Sequence, residues 1–187
     1  MKEYEVYTDG SCKGNEIDAR DGGWAYVIRK FNKNNNKWDR EWHQAGCAEK
    51  TTNNQMEMTA VIEALKKCDE IYEKSKSRDT VFVYSDSAYV INCYAQGWYR
   101  KWEKNGWLNS KNKPVKNREL WEQLIPYFRN PRYKFKKIKG HAGEVYNEVV
   151  DFLAQRAAEQ KIGTSKTYEG QQKWERVILD GTCNDSL

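Results

Sequence analysis

Residues 53–65 read NNQMEMTAVIEAL, and the fold turns on where the glutamate inside that run points. Counted at about 3.6 residues per turn from Glu57, the apolar residues Val61, Ala64, Leu65, Cys68, Ile71 and Tyr72 fall on its own helix face. The pattern predicts an amphipathic helix over 54–73 with a carboxylate in the first turn of its buried stripe. A carboxylate there loses solvation and needs a compensating partner. No Lys or Arg shares the stripe. Two readings stay open: Glu57 projects past the core at the helix end, where the helix dipole favours it, or it meets a metal ion.

Working outward, three more acids stand at the edges of ordered elements. They are Asp9 in YEVYTDGSC (4–12), Asp86 in TVFVYSDSAYV (80–90) and Asp151 in NEVVDFLAQRAAE (147–159). Strands are expected over 3–8, 22–31 and 40–48, the last two joined by the polar loop 32–39. The β-branched and aromatic run 80–85 reads as a buried strand. Asp86 and Ser87 then cap a helix running to about Gln96. A short helix and loop fill 97–114, a helix follows over 117–129, then a strand over 133–139 and a helix over 144–161. A hairpin meander followed by βα units suits an α/β fold with a mixed five-stranded sheet and helices on both faces. The boundary is drawn at Gly163, giving a domain over 1–163 and a polar extension over 164–187. The extension carries one apolar patch at Trp174 and Val177–Leu179.

The chain has 187 residues, 39% of them apolar and 13% aromatic, enough for one domain with a real core. No apolar run reaches membrane-spanning length and no apolar signal segment opens the chain, so a cytoplasmic protein is expected. Five cysteines with no CxxC argue against a disulfide framework or a zinc site. Net charge is +5, but residues 98–118 alone hold +6 and also carry Trp98, Trp102 and Trp107. A basic block interleaved with aromatics predicts a nucleic-acid surface, with part of its tryptophan in the core.

Together the stretches YTDGSCKGN (7–15), TTNNQMEMTAVIEAL (51–65), YSDSAYV (84–90), GWYRKWEKNGW (97–107), NKPVKN (112–117) and KGHAG with NEVVDFLA (139–154) resemble type 1 ribonuclease H. The similarity runs in order over roughly residues 3–160. It implies the ribonuclease H-like fold with a basic, Trp-rich protrusion, and hydrolysis of the RNA strand of an RNA–DNA hybrid to 3′-hydroxyl and 5′-phosphate ends. It also implies two Mg²⁺ ions with substrate, Mn²⁺ being an alternative, held by Asp9, Glu57, Asp86 and Asp151. Asp9 would be shared by both ions, Asp151 would join it at one, and Glu57 and Asp86 at the other. Carboxylates suit hard cations that take oxygen ligands.

The same resemblance makes His141, between Gly140 and Ala142-Gly143, an auxiliary in proton transfer. It places Gly10, Cys12, Asn15, Asn53 and Asn54 on the RNA side, where short amides and backbone groups can meet a 2′-hydroxyl. The Asn pair also suits helix capping. Thr52 and Asn117 match a DNA-phosphate pocket, Tyr89 and Trp98 lie along the DNA strand, and Lys101 and Lys104 hold backbone charge. His43 is expected to be structural or exposed. Gln55 replaces a common Arg and Ala88 a common Gln or Met, both weakening substrate contacts. The loop 32–39 and the tail look long for the family. No hybrid-binding domain is expected before the first strand, and the chain is expected to act as a monomer. Resolvases and integrases of the same fold, a catalytically dead hybrid-binding module and a domain of a reverse transcriptase are the competing readings. The motif set and the protrusion disfavour the resolvase and integrase readings, the full set of four carboxylates disfavours the dead module, and a chain that starts with Met and shows no connecting sequence disfavours the reverse-transcriptase domain.

Overall fold

A computed structural model describes residues 2–12, 20–75, 79–139 and 145–169. Its elements are β1 (Lys2–Cys12), β2 (Arg20–Asn32), β3 (Lys37–Thr51), α1 (Asn53–Ser75), β4 (Thr80–Ser85), α2 (Ala88–Gln96), α3 (Trp98–Lys104), α4 (Arg118–Arg129), β5 (Tyr133–Lys137), α5 (Val145–Gln160) and β6 (Thr164–Glu169). The sheet order is β5-β4-β1-β2-β3-β6. β1 pairs antiparallel with β2 and parallel with β4, and β4 pairs parallel with β5. The five expected strands are therefore all present as one mixed sheet.

Strand alternation sorts the two faces. Tyr4, Val6, Tyr26, Ile28, Val81 and Val83 point to one side, where α1, α2 and α4 supply Leu65, Val90, Trp121 and Leu124. Tyr7, Ala25, Val27 and Ala45 point to the other, where α5 supplies Val149, Val150, Leu153 and Ala154. Cys68 is buried on the α1 stripe, as the periodicity predicts.

The structure adds a sixth strand. Residues 164–169 lie past the boundary expected at Gly163, yet they pair antiparallel with β3 from Ala45↔Thr164 to Arg40↔Glu169. Polar SKTY-type sequence has no apolar period to announce a strand, and backbone pairing with an otherwise open edge supplies what the side chains do not. Lys166 stands opposite His43. His43 is buried, and burial beside the Lys166 ammonium pushes its imidazole down to about 4. The hairpin at 32–39 is also tighter than expected: β3 already starts at Lys37, with Asn36 at φ 55° closing the turn. His141, Asn15 and the apolar patch at Trp174 and Val177–Leu179 lie outside the described residues.

A buried charge group ties the α5 face together. Arg29 Nε donates to Glu41 Oε1 at 3.1 Å, and Arg29 Nη1 to Glu5 Oε2 at 3.3 Å. The Tyr146 hydroxyl donates to Glu41 Oε1 at 2.6 Å. The guanidinium lies 3.6 Å from the Trp38 ring centroid and 3.9 Å from that of Tyr146. Glu41 is fully buried. Removing one partner of such a pair strands the other charge, so Glu41→Ala should cost about 3–5 kcal/mol in urea denaturation. Glu3→Ala, which breaks only the half-exposed pair with Lys33, should cost about 1 kcal/mol or less. Equal costs for the two would mean that the Arg29 site is open to water.

Candidate active site

Two close backbone approaches set the site. A Cβ on Gly10 would lie 2.2 Å from the Glu57 nitrogen, so β1 and the first turn of α1 touch with no side chain between them. A Cβ on Gly23 would lie 2.0 Å from the Ala154 carbonyl oxygen, which seats α5 on β2 in the same way. Gly10 is beside Asp9, and Ala154 is one helical turn beyond Asp151. The two glycines, on opposite faces of the paired strands β1 and β2, thus bring both carboxylate-bearing helices close to the stretch of β1 that carries Asp9. Asp86 follows β4, which runs parallel to β1 with Thr8 opposite Ser85, so Asp9 and Asp86 leave neighbouring strands at the same level.

Aromatic packing reinforces this register. Tyr7 stacks on Tyr84 at 5.0 Å and on Tyr146 at 5.3 Å. Tyr7 and Tyr84 each stand two residues before an acid, Asp9 and Asp86, and Tyr146 stands in the first turn of the helix that carries Asp151. Each such ring pair adds about 0.5–1.5 kcal/mol beyond burial.

The electrostatics report the outcome. Burial first, then the charge of Asp86 and those of Asp151 and Glu57, push the Asp9 carboxyl up to about 8. The Gly10 N–H, donating to Asp9 Oδ1 at 2.7 Å, opposes that rise. Glu57 is raised as well, by burial and by Asp86, against a hydrogen bond from the Ser87 hydroxyl. Its other oxygen accepts from Asn53 Nδ2 at 2.8 Å. Asp151 Oδ1 accepts from Gln155 Nε2 at 2.5 Å. Among the described residues no three ligand groups gather tightly enough to hold an ion as they stand. The four carboxylates share a field, and their all-oxygen donor set fits a hard divalent cation.

The cap of α1 differs from expectation. Thr52 Oγ1 accepts from the Gln55 N–H at 3.3 Å, and Gln55 Oε1 accepts from the Thr52 N–H at 3.0 Å. That reciprocal pair is a capping box, so Gln55 has a structural task and the Asn pair is not the cap. Asn53 is exposed and Asn54 half-buried. Cys12, at the end of β1, directs its thiol at the Asp21 and Thr51 carbonyls.

The protrusion carries a groove of its own. Trp102 packs on Trp98, Trp107 and Trp121 at 5.5–6.2 Å. Tyr89, Trp98, Lys101, Trp102 and Lys116 line a groove of about 590 Å³. The Tyr89 hydroxyl accepts from Trp121 Nε1 at 3.3 Å. Asn117 precedes α4 at φ 59° with no side-chain cap, and the Tyr89 hydroxyl donates to the neighbouring Lys116 carbonyl at 3.5 Å. Lys101 and Lys104 are exposed, and so is Ala88 at the start of α2.

The Asp9 shift fixes the sign of a pH dependence. Between its ordinary value near 4 and about 8, the folded protein holds a proton at this site that the unfolded chain has released. That stabilisation is complete below about pH 4 and lost as pH rises through about 8. In a chelating buffer the melting temperature of the unaltered chain should fall over this window, and Asp9→Asn should flatten the fall. Parallel curves for the two proteins would remove the coupling.

Comparisons with known proteins bear on the family and on the fold. The family model described as RNase H matches residues 1–159. A ribonuclease H of Syntrophomonas wolfei is 43% identical over 157 residues, covering 84% of this chain and 97% of that protein. One from Thermoanaerobacter sp. strain X514 is 43% identical over 150 residues, covering 80% and 86%. Among solved structures, LC9-RNase H1, a type 1 RNase H with the type 2 active-site motif, superposes with a TM-score of 0.76 at 23% identity, covering 93% of this chain and 79% of that one. A foamy viral protease-reverse transcriptase in complex with RNA/DNA hybrid superposes at 0.65 and 20% identity over 84% of this chain and 20% of that one. At those identities the two structures speak for the fold, while the sequence matches speak for the family: this chain belongs to the ribonuclease H family of endoribonucleases.

Proposed function

We propose that this chain cuts the RNA strand of RNA–DNA hybrids, with two divalent cations, leaving 3′-hydroxyl and 5′-phosphate ends. One observation carries the reading: Asp9, on β1 just past its last pairing with β4, lies half-buried in the combined field of Asp86, Asp151 and Glu57. Four gathered anions repel one another and take up protons unless a cation offsets them. Asp9, Glu57, Asp86 and Asp151 would hold Mg²⁺, with Mn²⁺ as a substitute. When bound, such a pair of ions supplies positive charge to the attacking and leaving oxygens of an in-line displacement.

The chain's own residues do the rest. Ser87 and Asn53 orient Glu57, and Gln155 orients Asp151, as outer partners of ligands do. Gly10, Cys12, Asn15, Asn53 and Asn54 face the RNA strand, whose 2′-hydroxyls both donate and accept. Thr52 and Asn117 take a DNA phosphate, Tyr89 and Trp98 lie along the DNA strand, and Lys101 and Lys104 offset backbone charge. His141 moves a proton during turnover. The protein works as a monomer in the cytoplasm. Among the described residues no helix is long and apolar enough to cross a membrane. The domain spans residues 1–163 with 164–187 as an extension, of which β6 is joined to the sheet.

Labelled RNA–DNA, RNA–RNA and DNA–DNA duplexes test substrate choice, and only the hybrid should be cut. Asp9→Asn should abolish hybrid cleavage and leave hybrid binding largely intact. Near-normal turnover by that variant in Mg²⁺ would remove the metal assignment. His141→Ala should keep affinity and slow turnover by about 10²-fold, the low end for a general acid–base group. Unchanged turnover across neutral pH would make His141 a spectator.

A further inference from the structure

A second basic block lies at the outer edge of the sheet, and the reading above leaves it unused. Residues 134–139 read KFKKIK, with four lysines and no acid. Residues 98–118 carry +6 and residues 134–139 carry +4, so the rest of this +5 chain sums to −5. The positive charge is thus concentrated in two places. Tyr133 and Phe135 are buried on the side of α2 and α4 and anchor β5, while Lys134, Lys136, Lys137 and Lys139 are exposed. Lysines on an edge strand can serve only to keep other strands away. Three observations point further.

The first is position. Lys137 pairs with Ser85, and the Ile138 N–H donates to the Ser85 carbonyl at 3.1 Å. The residue after Ser85 is Asp86, so the lysine-bearing end of β5 finishes beside the carboxylates. The second is the face. Lys134 stands opposite Phe82 and Lys136 opposite Tyr84, on the side of the sheet away from α2, α4 and the protrusion. α5 packs on β1, β2 and β3, and Phe82 and Tyr84 are only half-buried. The third is chemistry. The Lys136 ammonium lies 4.4 Å from the Phe82 ring centroid and 5.8 Å from that of Tyr84. The ammonium of this exposed side chain rests over the aromatic rings, which hold it in place on the sheet face. A row of exposed lysines, one of them held over aromatic rings, beside the proposed phosphodiester-cutting site matches a polyanion with a regular phosphate repeat.

We propose that Lys134, Lys136, Lys137 and Lys139 form a second phosphate-contacting surface along the outer edge of the sheet, with Lys134 and Lys136 on the face away from the protrusion, and that this surface grips the hybrid duplex where it continues past the carboxylates. The identity of the duplex rests on the function proposed above; the charge and face arguments do not. Two separated basic surfaces on either side of the carboxylates would fix the angle at which the duplex crosses them.

The test is the combined variant Lys134→Gln, Lys136→Gln, Lys137→Gln, which keeps the side-chain stems and removes the charges. Binding is measured against salt with Ca²⁺ present, on a long hybrid and on a short one that spans only the protrusion and the carboxylates. On the long hybrid the slope of log K against log salt should flatten by up to about 0.9 per lost contact. On the short hybrid it should not change, and Lys→Arg at the same three positions should keep the original slope on both. An unchanged slope on the long hybrid overturns the proposal, as does equal flattening on both lengths. Self-association of the Gln variant with unchanged slopes would show that the lysines only block strand pairing. If the unaltered chain cuts no hybrid, the proposed function fails, and the same slopes on a DNA duplex of the long length still decide this surface.

Discussion

Everything at the site depends on the contact between β1 and α1 at Gly10. A strand and a helix ordinarily stand apart by the depth of their side chains. Here a Cβ on Gly10 would overlap the Glu57 nitrogen at 2.2 Å, so the backbones meet. That approach sets the Glu57 backbone against β1 beside Asp9. Gly23 does the same for α5 from the other face, and the parallel pairing of β1 with β4 adds Asp86. One strand end becomes the meeting point of four carboxylates because three kinds of neighbour reach it without an intervening side chain.

Such a meeting opposes folding. Asp9 is pushed up to about 8 because burial and three like charges all disfavour its ionised form. The surrounding structure offsets this with packing that does not involve the site itself. The Tyr84–Tyr7–Tyr146 stack joins β4, β1 and α5 directly behind the acids. Below it, Arg29 and Glu41 join β2 to β3, and Tyr146 ties α5 to the same pair. These buried polar and aromatic contacts define one arrangement of the elements, which a purely apolar interface would specify less sharply.

Much of this was legible in the residue order. The apolar period of α1, the alternation in β1 and β4, and the Ser87 cap of α2, which accepts from the Val90 N–H, are local features with local causes. The family motifs also lie within short runs. The capping box was present in the letters Thr52-Asn-Asn-Gln55, but Gln55 reads as a lost substrate contact until the helix start is known. β6 was not legible, because a polar segment becomes a strand only when an edge with unpaired backbone groups lies beside it. His43 was equally open: only the approach of β6 and α5 to its face decides that it is buried.

By itself, the sequence determined the types of the main elements, the acids at their ends and the two concentrations of positive charge. Those follow from side-chain periodicity, capping chemistry and charge count, which act over a few residues. Only the tertiary structure decided which acids share a field, which face of the sheet the lysines of β5 present, and that residues 164–169 complete the sheet. Each of those depends on backbones far apart in the chain approaching within a few ångströms, at Gly10, at Gly23 and along the β3 edge. No window of local sequence contains both sides of such a contact.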